Sequence, residues 1–146
     1  MAFRFALAAV LNYRESLEQR EYLALEKIQL EIAQQERRIQ KCEERRAVAA
    51  KRREAELGRG IPSIHLQAAY EEELSLRRQH EELLAGLKEL QAKRQECMKA
   101  YELARQKREI LSELRTRQWD TYRREQAKRE QIMLDDIFLS RRKRTQ

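Results

Sequence analysis

In 146 residues the chain has three glycines and one proline, and most of them fall in one stretch, Gly58-Arg59-Gly60-Ile61-Pro62-Ser63. A compact globule reverses direction many times, and each reversal draws on Gly, Pro, Asn or Asp for backbone angles other residues avoid. Asn12 is the sole Asn, and Asp120, Asp135 and Asp136 are the only Asp residues, so one reversal is provided for. On either side Glu, Arg, Gln, Ala, Leu and Lys dominate, residues that give up little rotamer freedom in a helix. With 39% charged and 6% aromatic residues, the composition is that of long helices or a coiled coil, not of an enzyme fold. Gly58 suits the left-handed position that closes a helix, Pro62 cannot continue that helix, and Ser63 can cap the next. The reading is all-α: a long antiparallel two-helix coiled coil, a helical hairpin with a longer second helix. It spans residues 1–146 as one domain, with helix 1 over about 3–57, the turn at 58–63, helix 2 over about 63–140 and a basic tail at 141–146.

The hydrophobic period supports two such helices. In the first, a stripe runs Phe3, Leu7, Val10, Arg14, Leu17, Glu21, Leu25, Ile28, Ile32, Gln35, Ile39, Cys42, Arg46, Ala49. Its steps alternate between four and three except near Glu21, where consecutive fours make a stutter that relaxes the supercoil. In the second, Leu66 and Tyr70 are followed by Leu83, Leu87, Leu90, Arg94, Cys97, Tyr101, Ala104, Arg108, Leu111 and Arg115. Arg and Glu recur at seam positions, so neither stripe is a strong zipper.

A short connection makes the helices antiparallel neighbours. With the turn centred near residue 60, Leu87 faces the neighbourhood of Gln34, and Trp119 faces residues 1–3. At 1.5 Å per residue the helices are about 80 and about 115 Å long, so the second runs about 20 residues past the first. That extension, near 122–146, holds Arg123, Arg124, Lys128, Arg129 and the run Arg141-Arg142-Lys143-Arg144. The apolar and aromatic residues gather where the chain ends meet: Phe3, Phe5, Leu7, Val10 and Leu11 from one side, Trp119, Tyr122, Ile132, Met133, Ile137, Phe138 and Leu139 from the other. Phe3, Leu7 and Val10 follow the seam, which leaves Phe5 as the outward-facing residue. Cys97 lies opposite about residue 24, about 27 Å along the axis from Cys42, too far for a disulfide.

Net charge is +7 and uneven: residues 1–96 hold 18 Lys/Arg against 17 Asp/Glu, and residues 97–146 hold 14 against 8. An acidic partner surface for the last third fits this excess. The apolar run Phe5–Leu11 is short for a secretory signal and leads into Asn12-Tyr13-Arg14-Glu15 where small residues would be cleaved, so secretion is not expected. No apolar run approaches the length of a membrane span. Cys42 and Cys97 lack a second Cys or His at ligand spacing, and a reduced, cytoplasmic setting fits them.

No nucleophile with its base, no pair of catalytic acids and no phosphate loop can be assembled, so no catalytic, cofactor-binding or metal site is expected. Gly58-x-Gly60 lacks the third glycine and the preceding strand of a dinucleotide fingerprint. His65, at the start of helix 2, and His80, on a charged face, read as solvated side chains, and Glu71-Glu72-Glu73 as a surface charge run. Nucleic-acid binding has an electrostatic footprint in the pI near 9.6 and the helical Arg clusters. Glu125, Glu130, Asp135 and Asp136 interrupt that footprint and no base-reading motif accompanies it, which disfavours nucleic acid. A generic coiled-coil scaffold is the other alternative, and the apolar, basic tip weighs against it.

The opening Phe3-Arg4-Phe5-x-Leu7-x-x-Val10-Leu11-x-Tyr13-Arg14, followed by Glu18 and Glu21, resembles the start of the flagellar type III export protein FliJ family. The mid-chain Gly58-x-Gly60-Ile61, the stretch Arg124-Glu125-Gln126 to Leu134-Asp135-Asp136, and the length fit the same pattern. Injectisome stalk proteins related to YscO share the architecture. The resemblance implies a stalk-like, non-enzymatic coiled coil whose joined ends enter the hexameric export ATPase ring (FliI-like). It also implies contact with the export gate protein (FlhA-like) and binding of export chaperones. Such a protein is cytoplasmic and meets the inner face of the cell membrane only peripherally, through its partners. Mapped onto this sequence, ring contact falls to Phe3, Phe5, Leu7, Val10, Trp119, Tyr122, Arg123 and Arg124, and gate contact to Tyr70 and Leu74.

Overall fold

The structure, a computed structural model, describes residues 2–60 and 62–145. Two helices, α1 (Ala8–Arg59) and α2 (Ser63–Thr145), pack against each other as an all-α helical hairpin, and the described residues contain no strand.

α1 begins later than the sequence period implies. The expectation of a helix from about residue 3 fails because residues 2–5 form a non-helical arm that turns through Ala6 and Leu7. The Ala8 amide donates to the Phe5 carbonyl at 3.1 Å, and the Leu11 amide to the Leu7 carbonyl at 2.9 Å. No Ser, Thr, Asp or Asn precedes Ala8 to cap a helix starting at residue 3, and the arm buries Phe5 instead.

At the turn the left-handed residue is Gly60, with φ 74°, and not Gly58, which remains helical. The Gly60 amide donates to the Leu57 carbonyl at 3.3 Å, closing α1. The Pro62 carbonyl accepts from the amides of His65 (3.0 Å) and Leu66 (3.3 Å), so Ser63 is the first residue of α2 rather than its cap.

Packing divides the chain into two units, residues 2–20 with 102–145, and residues 21–101. In the second unit the core is a thin line of Ile32, Ile39 and Cys42 on α1 with Leu76 on α2. Tyr22 and Tyr101 bring their rings within 5.9 Å. Polar contacts supply much of the rest: Glu73 meets Arg46 at 3.5 Å and Arg53 at 3.7 Å, Glu72 meets Arg52 at 2.7 Å, and Glu43 meets His80 at 3.2 Å. His80 is therefore half-buried and paired across the helices, not solvated, and Glu73 belongs to the seam and not to a surface run. In the first unit Phe5 and Leu11 are buried, and Arg108 makes a two-pronged contact with Glu18 at 2.5 and 3.2 Å.

Along α1 the less exposed positions alternate by threes and fours from Leu11 through Arg14, Glu18 and Glu21, and onward to Arg53 and Glu56. The expected stutter at Glu21 is absent because Glu18, drawn in by Arg108, takes a place on the seam beside Leu17. On α2 the seam opens at Ala69, Glu73, Leu76 and His80, while Leu66, Tyr70, Arg94 and Arg115 are exposed.

Candidate docking surfaces

Phe3 sits edge-on to Trp119, with ring centroids 5.1 Å apart and planes at 71°, and lies 5.5 Å from Tyr122. Trp119 stacks on Tyr122 at 5.8 Å, one turn along α2. Such ring geometries add about 0.5–1.5 kcal/mol per pair beyond the area they bury. Three of the residues expected to act at this end are thus brought into one aromatic cluster.

The other expected members divide by exposure. Leu7 and Val10 face solvent at 39% and 42%, whereas Phe5 is only 9% exposed. That reverses the expected assignment, in which Leu7 and Val10 followed the seam and Phe5 pointed away. The cause is the arm: residues 3–7 are not helical, so a helical period counted through them exchanges the places of Phe5 and Leu7. Arg123 and Arg124 are exposed. Phe3, Leu11 and Trp119 line a groove of about 400 Å³ whose rim carries Glu15 and Arg115.

Beyond Tyr122 every described residue except Gln126 is exposed. This stretch includes Ile132 (60%), Met133 (66%), Leu134 (61%), Ile137 (46%), Phe138 (66%) and Leu139 (51%). At 100° per residue these six point around the whole circumference of the helix, so no single apolar face exists to lay against a neighbour. Eight basic residues against four acidic ones accompany them between 123 and 146. Leu11 and the 132–139 segment fall outside the ring-contact residues assigned from sequence. Leu11 was legible as the start of the seam that passes Arg14 and Glu18, and the later segment as a dense apolar run inside a charged helix.

In the other unit, Tyr70 is 62% exposed and Leu74 41%, one turn apart on α2. Both side chains are exposed, Tyr70 the more so. Among the described residues no group of three or more His, Cys, Asp or Glu is placed to hold a metal ion, and no helix is long and apolar enough to cross a membrane. Cys42 and Cys97 are free thiols.

The family model of the flagellar FliJ protein matches residues 3–146, both helices and the turn included. The chain belongs to the FliJ family. No curated protein and no solved structure matches it. Membership makes this chain a component of flagellar protein export, a type III secretion process that builds the flagellum. The hairpin agrees with it: side chains along the seam serve packing and pairing, and apolar side chains beyond Tyr122 stay exposed.

Proposed function

We propose that this FliJ-family chain is a stalk of the flagellar export ATPase, with its Phe3–Trp119 end seated in the hexameric ring and its Tyr70–Leu74 surface bound to the export gate protein. The observation that carries the reading is the segment Ile132–Leu139, whose six apolar side chains are exposed and point to all sides of the helix. A helix of that kind gains most when it is enclosed, because burying one side leaves the rest of its apolar surface in water. A ring lumen encloses a helix on every side. The flanking Arg residues of 123–129 and 141–144 supply charge and hydrogen-bond donors to a polar wall. A thin hairpin core suits such a role, since a partner that binds only the folded form adds stability by mass action.

Export chaperones are further partners in this reading, and the protein meets the inner face of the cell membrane through the ring and the gate rather than by itself. A matching export ATPase mixed with the purified protein should form more hexamer and hydrolyse ATP faster, and Phe3→Ala with Leu7→Ala should weaken both effects. Unchanged assembly and turnover in the presence of the unmutated protein would defeat the ring assignment. Tyr70→Ala with Leu74→Ala should lower binding to the gate protein while leaving ATPase stimulation and helical circular dichroism as they were. Loss of helical signal in that pair would mean the two residues support the hairpin instead.

A further inference from the structure

The seam of the 21–101 unit is joined by two contacts of an unusual kind. The Gln35 side-chain amide donates to the main-chain carbonyl of Leu83 at 2.9 Å, and the Cys42 thiol lies 3.6 Å from the main-chain carbonyl of Leu76. On both helices the two contacts are spaced by one heptad. The first is fitted to Gly86: a Cβ there would come within 2.9 Å of Gln35 Nε2, so the flexible amide end would have to shift away from the position in which it donates to Leu83. A glycine deep inside a helix costs about 1 kcal/mol relative to alanine, so its presence calls for a packing reason. The open space it leaves for Gln35 is one.

Apolar burial discriminates poorly between alternative pairings here, because among the described residues of this unit only Ile32, Ile39, Cys42 and Leu76 are buried. Nor is the turn firmly anchored by packing. Every described residue from 57 to 68 is exposed, and a slip of one heptad moves the turn by only about three or four residues within that stretch. A slip would, however, put Gln79 or Lys93 where Gly86 now stands, and a long side chain there closes the space that Gln35 needs.

We infer that Gln35, the Leu83 carbonyl and Gly86 form the rung that sets the antiparallel register of this coiled coil. A single polar side chain at a seam position is a known means of fixing register at some expense in stability, and here the acceptor is backbone, so the specificity resides in the glycine. The inference stands apart from any docking assignment.

Spin labels carried on ketone amino acids at positions 37 and 95, which leave the native thiols in place, report the register in the full-length protein. The two positions are offset along the axis, so a one-heptad slip of about 10 Å along the helix changes their separation. The unmutated chain should give one distance. Gln35→Leu with Gly86→Ala keeps or raises helical content, since it removes a helix-weakening glycine and adds an apolar residue, and should give a second, displaced distance. Gly86→Ala with Lys93→Gly offers Gln35 a new space one heptad along and should move the main distance in the direction that pairs Gln35 with Leu90. A single distance at the original position and width in both variants would overturn the inference and assign the register to the turn and to the cross-helix pairs of Glu73, His80 and Tyr22.

Discussion

Glu18 and Arg108 show how a residue that looks misplaced in a hydrophobic pattern gains a place in the packing. Their side chains are 18% and 27% exposed, and the contact is made through two guanidinium nitrogens. The Glu18 carboxylate, by accepting those hydrogen bonds, raises the Arg108 pKa above its ordinary value, with burial opposing and Glu109 and Glu15 adding to the rise. A cation whose pKa is raised on folding contributes its stabilisation at every pH below its unfolded value, so Arg108 stays charged through the acid and neutral range. Glu18→Ala leaves a half-buried guanidinium without this partner and should cost about 1–2 kcal/mol, read from the urea midpoint. Glu72, 46% exposed and paired with an Arg52 that is 56% exposed, is the control: Glu72→Ala should cost less than about 1 kcal/mol in the same titration. Equal losses at the two sites would contradict the difference in burial on which the contrast rests.

The turn separates two glycines that a sequence alone treats alike. Gly60 has φ 74° and nothing within 4 Å of an added Cβ, so Gly60→Ala meets only backbone strain and should destabilise by about 1 kcal/mol. Gly58 is helical with the same open surroundings, and Gly58→Ala should stabilise by about 0.8–1 kcal/mol through helix propensity. Thermal melts of the two variants should move in opposite directions. The assignment of left-handed geometry to Gly60 fails if they move together. Elsewhere on α1 the buried Ile39 sits in a core only a few residues deep, and Ile39→Ala should lower stability by about 2 kcal/mol, the lower end for such truncations, because solvent can fill the gap.

For the molecule as a whole, the shielded positions all but end at Tyr122, while the proposed partner surface runs on past it. Residues 123–145 are exposed apart from Gln126, so a chain ending at Tyr122 should melt at nearly the same temperature as the full-length protein. If the proposed ring docking holds, that shortened chain should lose ATPase stimulation, and Trp119 emission should shift on adding the ATPase only to the full-length form. A large fall in melting temperature on truncation would show instead that 123–145 belongs to the hairpin core.

Scarcity of turn formers, helix propensity and a three-four period were enough to give the hairpin and its single reversal, because these are local properties summed over long stretches. Most of the seam from Arg14 to Ala49 was legible for the same reason, Glu18 excepted, as was the meeting of Phe3 with Trp119. Tertiary structure decided what depends on competition between local preference and burial. Phe5 turned inward because aromatic burial outweighed continuation of the helix through residues 3–7. Glu18, Glu73 and His80 joined the seam because a partner across the helices satisfied each of them. Gly60 rather than Gly58 took the left-handed angle. Gln35 and Gly86, separated by fifty residues and unremarkable in either stripe, became neighbours only once the helices had paired.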